Sequence, residues 1–330
     1  MTDTHKKPHL VVLGAGSWGA ALAHQARLSG KSEVRLLARS AADCQSLAAG
    51  RIRQLPQIAP IEPLDADTNP AILAQADVIL LAAPLSAHPH AAEQITGYAR
   101  DDVPIIFCSK GLVPDTDRGG LFLPEYAQTV FAGRPVAMLT GPSFADEVLA
   151  NLPTALLVAS PEQAVCGIIA NIFDDSHLRI YQGEDMLGAA IGGAAKNVVA
   201  IAAGIVSGLG FGDNARAALV TRGLAEIGRL ATEAGAQQKT ISGLAGLGDL
   251  ILSCASIHSR NMAYGFDIGA GRQPDGRLSE GRHAVAHLVA RARYHNIEMP
   301  IAEAVDSIVN HGASLADTIK QVLARKASTE

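Results

Sequence analysis

A glycine-rich turn near the start of the chain constrains the fold more than any other feature. The apolar run 9–13 leads into Gly14-Ala15-Gly16-Ser17-Trp18-Gly19, and small, helix-forming residues follow at once. This is the G-x-G-x-x-G pattern between a strand and a helix. Gly14 permits the tight turn, Gly16 lets a pyrophosphate approach the backbone, and Gly19 allows the helix to pack closely on the strand. Because N–H groups at such a helix start bind anions, the pattern predicts a dinucleotide-binding domain of the Rossmann type.

The end of the second predicted strand, residues 33–37, bears on the choice of dinucleotide. An NAD enzyme usually places an acid there, about 20 residues past the fingerprint, where it binds the ribose 2′-hydroxyl. This chain has Arg39 instead, and a guanidinium suits a 2′-phosphate. The alternative is a solvated surface arginine. We therefore expect NADP(H) to be favoured, with NAD(H) left open.

Apolar runs and helical segments alternate up to about residue 187, which predicts a doubly wound parallel sheet. The predicted strands are residues 9–13, 33–37, 77–84, 104–112, 136–140, 154–159 and 178–181. The proline-rich stretch 50–70 is predicted to be irregular. Lys110 lies at the end of the fourth predicted strand, and Gly141-Pro142-Ser143 follows the fifth. Ligands bind outside the carboxyl ends of such strands, so we expect Lys110 to meet an anionic substrate.

The stretch Gly188–Gly204 is a predicted helix almost free of charge, with Lys196 and Asn197 adjacent in its middle. Its other side chains are small or aliphatic, so neighbouring helices can pack closely and exclude water. A lysine kept from water loses part of its preference for the charged form, which suits proton transfer. The alternative is a transmembrane helix, but a lysine at mid-span costs about 2.5–3.5 kcal/mol there. A buried helix with a functional lysine is the better interpretation.

The strand signal stops near residue 185, which divides the chain into a dinucleotide-binding domain (1–187) and a helical domain (188–330). The turns predicted in the helical domain are 211–215 and 243–250. The net charge of −5 argues against nucleic acid or an anionic membrane as a partner. Four cysteines without a CxxC pair, and no signal peptide, indicate a cytoplasmic enzyme with reduced thiols. The apolar helices are compatible with a homodimer, which nothing in the sequence specifies.

Eight motifs spread over nearly the whole chain resemble those of bacterial NAD(P)-dependent glycerol-3-phosphate dehydrogenases, in that family's order. They are GAGSWGAALA (14–23), SKGL (109–112), GPSFA (141–145), GGAAKN (192–197), GFGDNA (210–215), TRGLAE (221–226), AGLGDL (245–250) and SRN (259–261). The resemblance implies reversible reduction of dihydroxyacetone phosphate to sn-glycerol 3-phosphate for phospholipid synthesis. It also implies a Rossmann domain followed by an all-α domain of the 6-phosphogluconate-dehydrogenase-like type.

The resemblance further implies roles for individual residues. Lys196 occupies the position of the family's general acid/base, and Asp249 is a candidate to orient it. The alternative for Asp249 is an acid that caps the following turn. The implied substrate contacts are Lys110, Gly141, Ser143, Lys196, Asp249, Ser259, Arg260 and Asn261. The implied cofactor contacts are Gly14, Gly16, Ser17, Trp18, Gly19, Arg39, Lys110, Ala145, Arg260, Leu278 and Glu280.

The chain departs from the family pattern at several positions. Ser143 stands where threonine is usual, Ala20 replaces a threonine, and Ser279 replaces an apolar residue before Glu280. The preceding segment, 269–277, looks several residues short. Because the resemblance places that segment near the cofactor, these departures bear on cofactor preference and leave the catalytic motifs intact.

Two other groups of side chains, and two other functions, remain as alternatives. His88 with His90, and His283 with His287, have no third ligand at a suitable spacing, so we predict surface histidines and no metal site. Arg291 and Arg293 are predicted on a solvated helix face. The rival functions are a keto or hydroxy acid reductase of the ketopantoate reductase kind and a non-enzymatic NADP(H)-binding sensor. The first would not be expected to carry the SKGL, GPSFA and SRN motifs together, and the second needs no buried lysine beside Asn197.

Overall fold

An eight-stranded sheet forms the centre of the first half of the chain. A computed structural model describes residues 7–274 and 279–324. The strands are β1 (His9–Leu13), β2 (Glu33–Leu37), β3 (Ala66–Asp67), β4 (Val78–Leu81), β5 (Ile105–Phe107), β6 (Leu112–Val113), β7 (Leu121–Phe122), β8 (Val136–Thr140), β9 (Thr154–Ala159) and β10 (Leu178–Gly183). The sheet order is β10-β9-β8-β5-β4-β1-β2-β3, and β6 and β7 form a separate antiparallel pair.

The order reverses on either side of β1, as in a doubly wound fold. β1 pairs in parallel with β2 and with β4, and the ladder continues in parallel through β5 to β8. All four residues of β4 are buried, as expected of a strand covered on both faces. The carboxyl ends of β1, β4, β5 and β8 therefore lie at one edge, where a Rossmann sheet binds its ligand. This confirms the predicted fold class.

Three details of the sheet differ from the sequence-based prediction. β9 runs antiparallel to β8, so the sheet is mostly, not wholly, parallel. The stretch predicted as irregular contains β3, which pairs with the end of β2. The predicted strand 104–112 divides into β5 and β6, because the chain turns at Gly111, whose φ of 139° suits glycine.

Helices alternate with the strands in the first part of the described chain and predominate in the second. They are α1 (Ser17–Ser29), α2 (Ala41–Ala48), α3 (His88–Tyr98), α4 (Leu123–Val130), α5 (Ala145–Leu149), α6 (Gln163–Ile172), α7 (Met186–Gly208), α8 (Gly212–Glu233), α9 (Gln238–Ile241), α10 (Asp249–Ala255), α11 (Arg260–Gly269), α12 (Glu280–Tyr294), α13 (Pro300–His311) and α14 (Leu315–Ala324). Short 3₁₀ turns cover Pro70–Gln75 and Leu85–Ala87, and a π-helical turn covers Leu244–Gly248.

The described chain divides into two units. The first contains the described residues up to Lys110 together with Pro124–Met186, and the second contains Gly111–Leu123 and the described residues from Leu187 onward. The β6–β7 hairpin thus clusters with the helical unit, which a single division at residue 187/188 does not anticipate. Within that unit His287 Nδ1 lies 3.0 Å from the carbonyl oxygen of Gly119, which anchors the hairpin to α12.

Two segments predicted as turns are helical. α8 already begins at Gly212, inside the stretch 211–215. In the stretch 243–250, the π-helical turn leads directly into α10, so Asp249 stands at the start of a helix. A π-turn inserts one residue into the helical repeat and is often found at functional sites.

The helix that contains Lys196, α7, is longer than the predicted stretch Gly188–Gly204 and is mostly buried. α7 has the length and mean hydropathy of a membrane span, but 89% of its most apolar window is buried inside the protein. A core helix of a globular unit shows this combination. The structure therefore favours the buried-helix interpretation of this segment.

Candidate active site

The glycine fingerprint forms the turn between β1 and α1. Gly14 has a φ of 116°, and a Cβ on it would lie 2.7 Å from the backbone nitrogen of Ala83. A Cβ on Gly19 would overlap the carbonyl oxygen of Gly14, whereas a Cβ on Gly16 would meet no atom within 4 Å. The first and third glycines are thus required by packing, and the second leaves open space above the start of α1. A diphosphate can approach the backbone there, because α1 has no acidic residue in its first turn and no side-chain cap.

Arg39 lies at the carboxyl end of β2, where it is exposed. The next residue, Ser40, caps α2 by accepting a hydrogen bond from the backbone N–H of Asp43. The hydrogen bond from Ser40 lowers the pKa of Asp43, and Arg53 and Arg39 lower it further. Asp43 is already engaged with Arg53 at 2.9 Å, so the exposed guanidinium of Arg39 is not paired with it.

Three of the predicted substrate contacts in the first unit meet at one carbonyl. Lys110 Nζ donates to the carbonyl oxygen of Gly141 at 3.2 Å, and Ser143 Oγ donates to the same oxygen at 3.1 Å. Gly141 has a φ of 142°, and a Cβ on it would lie 3.1 Å from the carbonyl oxygen of Ala155, so a glycine is favoured there. Ala145 begins the short helix α5 just beyond. The ends of β5 and β8 therefore present an ammonium and a hydroxyl side by side.

In the second unit, Lys196 is buried among polar partners. Its Nζ donates to Asp249 Oδ1 at 2.6 Å and to Ser253 Oγ at 2.9 Å. Lys196 is 9% exposed, Ser253 is 3% exposed and Asp249 is fully buried. A buried ammonium is tolerated where it is paired and hydrogen-bonded, as it is here. The contact required for Asp249 to orient Lys196 is therefore present.

Glycines bring these groups together. A Cβ on Gly192 would lie 2.7 Å from the carbonyl oxygen of Ala245, so α7 approaches the π-helical turn closely one turn before Lys196. Gly246 is packed against the carbonyl oxygen of Ile241 in the same way. A larger side chain at position 192 would force α7 away from the turn that leads into α10 and separate Lys196 from Asp249.

A second polar network is centred on Asn261. Its Oδ1 accepts hydrogen bonds from Ser279 Oγ at 2.7 Å and from the backbone N–H of Gly281 at 2.9 Å. Its Nδ2 donates to Asn197 Oδ1 at 2.9 Å, and Asn197 Nδ2 reaches Glu280 Oε2 at 3.4 Å. Asn261 thus joins Asn197, the residue on α7 that follows Lys196, to the start of α12. Ser279, one of the departures from the family pattern, is buried and supplies a polar contact that an apolar residue could not make.

The remaining predicted site residues have longer hydrogen bonds or are exposed to solvent. Ser259 caps α11, since its hydroxyl accepts a hydrogen bond from the N–H of Met262 at 3.4 Å. Arg260 lies 3.5 Å from Glu280, and both side chains are largely in solvent, so this ion pair is weak. Leu278 lies outside the described residues.

Sequence reasoning missed Ser253 and misplaced two other side chains. Ser253 follows Asp249 by four residues on α10, and this spacing places both on one helix face, which was the available signal. Arg291 is 3% exposed, with its guanidinium 5.4 Å from the centre of the Phe122 ring, so it does not lie on a solvated face. His88 is fully buried, whereas His90 and His283 are exposed as predicted. Arg291 packs against Phe122, and His88 packs against Phe107. Sequence spacing does not reveal these aromatic neighbours, which is why both side chains were predicted to be at the surface.

Among the described residues, no group of three or more histidine, cysteine, aspartate or glutamate side chains is arranged to hold a metal ion.

Comparisons with known proteins give a consistent result for both units. A family model for the N-terminus of NAD-dependent glycerol-3-phosphate dehydrogenase matches residues 9–166, and one for the C-terminus matches residues 185–320. A glycerol-3-phosphate dehydrogenase [NAD(P)+] from Parvibaculum lavamentivorans is 40% identical over 338 residues, covering 100% of each chain.

Among solved structures, a glycerol-3-phosphate dehydrogenase is more similar to this chain than a ketopantoate reductase is. The crystal structure of glycerol-3-phosphate dehydrogenase from Coxiella burnetii has a TM-score of 0.89 and 35% identity, covering 97% of this chain and 99% of that one. A ketopantoate reductase from Ralstonia eutropha has a TM-score of 0.55 and 15% identity, covering 95% and 99%. The second likeness concerns the fold alone, so the ketopantoate reductase alternative is not favoured.

Proposed function

Because the chain belongs to the NAD-dependent glycerol-3-phosphate dehydrogenase family, we propose that it catalyses the reversible reduction of dihydroxyacetone phosphate to sn-glycerol 3-phosphate. The chain is an NAD(P)-dependent oxidoreductase, and its product supplies glycerophospholipid synthesis. The reaction adds a hydride to the carbonyl carbon and a proton to the carbonyl oxygen. The protein must therefore bind an anionic substrate, hold a dinucleotide and place one proton donor at the oxygen.

The first unit is suited to hold the dinucleotide. The open space over Gly16 and the N–H groups of Ser17 and Trp18 at the start of α1 fit a pyrophosphate. When bound, the reduced nicotinamide supplies the hydride. Arg39 supports a preference for NADP(H), because a guanidinium can pair with a 2′-phosphate in bidentate fashion, and NAD(H) remains a usable cofactor. Ala145, Arg260, Leu278 and Glu280 are the further proposed cofactor contacts.

The phosphate of the substrate calls for cations and hydroxyls. Lys110 and Ser143 share the Gly141 carbonyl, and an anion can take over their hydrogen bonds when it binds. Ser259, Arg260 and Asn261 at the start of α11 are the proposed contacts from the helical unit. Lys110 is also proposed to contact the cofactor.

The observation that carries the proposal is the buried ammonium of Lys196. Asp249 and Ser253 fix its direction at 2.6 and 2.9 Å, while the small residues of α7 around it exclude water. In the reduction, Lys196 donates a proton to the oxygen as the carbonyl becomes a hydroxyl. In the oxidation, neutral Lys196 takes that proton back. General acid–base groups of this kind contribute about 10²- to 10⁴-fold to a rate.

The experiment compares NADPH and NADH oxidation with dihydroxyacetone phosphate in the wild type, in Lys196→Ala and in Lys239→Ala. Lys239 is an exposed lysine of the same unit and serves as the control. We expect Lys196→Ala to lose at least about 100-fold in kcat, with NADPH binding by fluorescence titration preserved and Lys239→Ala unchanged.

Two results would contradict the proposal in different ways. If the wild-type protein bound NADPH tightly but showed no turnover with either cofactor, the result would favour the non-enzymatic NADP(H)-binding sensor. Full activity in Lys196→Ala would retain the enzyme and remove its assigned acid/base.

Two further properties are part of the proposal. A cytoplasmic location is supported by the four cysteines without a CxxC pair. Assembly as a homodimer is supported only by the apolar character of the helices, and sedimentation of the full chain tests it.

A further inference from the structure

His88, the first residue of α3, is a buried histidine that the reaction does not use. It is fully buried, and its ring centre lies 5.8 Å from that of Phe107 and 6.1 Å from that of Tyr126. Burial lowers the pKa of His88 to about 4, so the imidazole is neutral at physiological pH. A leucine would fill this aromatic site without burying polar atoms, which costs free energy unless they are hydrogen-bonded. Besides a hydrogen bond with the backbone of Ala83, which opposes the effect of burial on the pKa, the ring contacts a side-chain hydroxyl, and this contact requires an account.

That contact is with the residue that precedes Lys110. His88 Nε2 lies 2.9 Å from Ser109 Oγ, and Ser109 is half-buried just beyond the end of β5. The following residue, Lys110, extends to the Gly141 carbonyl at 3.2 Å. Gly111 then turns the chain away with a φ of 139°. The hydroxyl of Ser109 is thus the side-chain anchor next to Lys110 in a short segment that leaves the sheet.

We propose that His88 is a positioning residue for Lys110: its hydrogen bond to Ser109 fixes the main chain from which the Lys110 ammonium reaches the anionic substrate. The inference rests on the proposed function, because it takes Lys110 as a substrate contact. His88 itself touches neither substrate nor cofactor. It acts on the direction of the lysine, since displacement of the Ser109 peptide moves the ammonium away from the Gly141 carbonyl and Ser143.

The test compares side chains that fill the same space but differ in hydrogen bonding. His88→Gln keeps a polar group near the Nε2 position, His88→Leu removes it, and Ser109→Ala removes the partner. His90→Leu is the matched control, because His90 is exposed on the same helix. KM for dihydroxyacetone phosphate, kcat, KM for NADPH and the melting temperature are measured for each variant, for the double variant His88→Leu/Ser109→Ala and for Lys110→Ala.

We expect His88→Leu and Ser109→Ala each to raise KM for dihydroxyacetone phosphate by about three- to tenfold, the equivalent of one neutral hydrogen bond. kcat should change less than KM. The double variant should be no worse than either single variant, because both remove the same contact. His88→Gln should restore most of the loss and His90→Leu should have no effect. The pH–rate profile should keep its wild-type shape in all of them, since a neutral imidazole transfers no proton in the reaction.

Several outcomes would overturn the inference. Additive effects of His88→Leu and Ser109→Ala, or a His88→Gln variant as impaired as His88→Leu, would reduce His88 to core packing. A shifted pH–rate profile in His88→Leu would make it an acid or base. Wild-type turnover together with an unaffected Lys110→Ala variant would refute the inference alone, whereas absence of wild-type turnover would refute the proposed function as well.

Discussion

The ammonium of Lys196 is paired with the buried carboxylate of Asp249. Asp249→Asn keeps the shape of the side chain and an oxygen acceptor but removes the charge that pairs with Lys196 at 2.6 Å. The ammonium then loses this counter-charge, which disfavours its protonated form. We expect kcat of dihydroxyacetone phosphate reduction to fall by about 10²-fold or more. Ser253→Ala, which removes one hydrogen bond of the same ammonium, should cost about tenfold.

Steady-state kinetics with NADPH measure both effects. Asp213→Asn is the control, because Asp213 is an exposed carboxylate on α8 that pairs with Arg216. If Asp249→Asn kept wild-type kcat, Asp249 would be a structural residue at the start of α10. If Ser253→Ala cost more than Asp249→Asn, the hydroxyl, not the carboxylate, would dominate the direction of Lys196.

Arg39 gives a second prediction for a single side chain. Arg39→Ala should raise KM for NADPH by about 10- to 100-fold, since a hydrogen bond to a charged group is worth ~1.5–3 kcal/mol. KM for NADH should stay within about twofold, because that cofactor has no 2′-phosphate. Arg51→Ala, which removes an exposed arginine from the same unit, controls for net charge. Equal losses with both cofactors would instead indicate a contact with the part that the two cofactors share.

Sequence could predict the residues whose chemistry is local and not those whose role depends on a distant partner. Gly14, Gly16 and Gly19 follow from one turn, and Lys196 stands out because its helix carries no other charge. Ser253 and His88 become polar contacts only when another segment is packed against them. The spacing of Ser253 from Asp249 indicates a shared helix face, but nothing in the sequence identifies Lys196 as its partner, and nothing identifies Ser109 as the partner of His88.

At the scale of elements, α7 shows how a helix with membrane-like spacing is used inside a globular unit. A Cβ on Gly204 would overlap the carbonyl oxygen of Met262, and one on Gly208 would overlap that of Phe266. The contact is the same from the side of α11, where Gly265 and Gly269 pack against backbone carbonyls of α7. Small residues four apart on both helices let the backbones approach. The spacing could be read from sequence, but whether lipid or α11 covers it could not.

This packing predicts opposite effects for two glycine substitutions. Gly204→Ala should lower the free energy of unfolding by about 1–3 kcal/mol, since the methyl group meets backbone atoms that cannot rotate away. Gly167→Ala, in the exposed face of α6 with no atom within 4 Å of the added methyl, should raise it by about 0.5–1 kcal/mol. Urea unfolding of both variants measures the difference. A Gly204→Ala variant as stable as the wild type would show that α7 and α11 can separate at no cost.

The direction of β9 is the part of the sheet that the sequence-based prediction of a parallel sheet got wrong. Short apolar runs such as β8 and β9 are covered on both faces whichever way they run, so their composition carries no direction. The antiparallel pairing of β8 with β9 therefore became visible only in the structure. β3 was missed for a simpler reason, since two residues are too few to form a pattern.

At the scale of the whole molecule, His88 in the first unit and Glu226 in the second are buried titratable groups that oppose each other in their effect on stability. Burial lowers the pKa of His88 in the first unit from 6.5 to about 4, so the unfolded chain takes up a proton that the folded one does not. Stability therefore rises with pH across that interval. Burial raises the pKa of Glu226 in the second unit from 4.5 to about 7, against the opposing effect of the N–H groups of Ile301 and Ala302. The folded chain then holds the extra proton, and stability falls as pH rises.

Glu226 on α8 is the better group to test, because its contact is well defined. The carboxyl group is 4% exposed and accepts the N–H of Ile301, in the first turn of α13, at 2.9 and 3.2 Å. Below the unfolded pKa near 4.5 it is protonated in both states, and above about 7 it must be ionised while buried. Glu226→Gln removes this titration while keeping an oxygen for Ile301.

The stability of Glu226→Gln relative to wild type should therefore rise with pH, by about 3 kcal/mol between pH 4.5 and 8 at most, since each pKa unit is worth ~1.4 kcal/mol. Urea unfolding monitored by circular dichroism at several pH values gives this difference, and its slope with pH is the test, because a fixed cost of the amide shifts all points equally. Glu233→Gln, an exposed carboxylate on the same helix, should give a difference independent of pH. A flat difference for Glu226→Gln as well would mean that Glu226 is ionised throughout and that the start of α13 stabilises its charge fully.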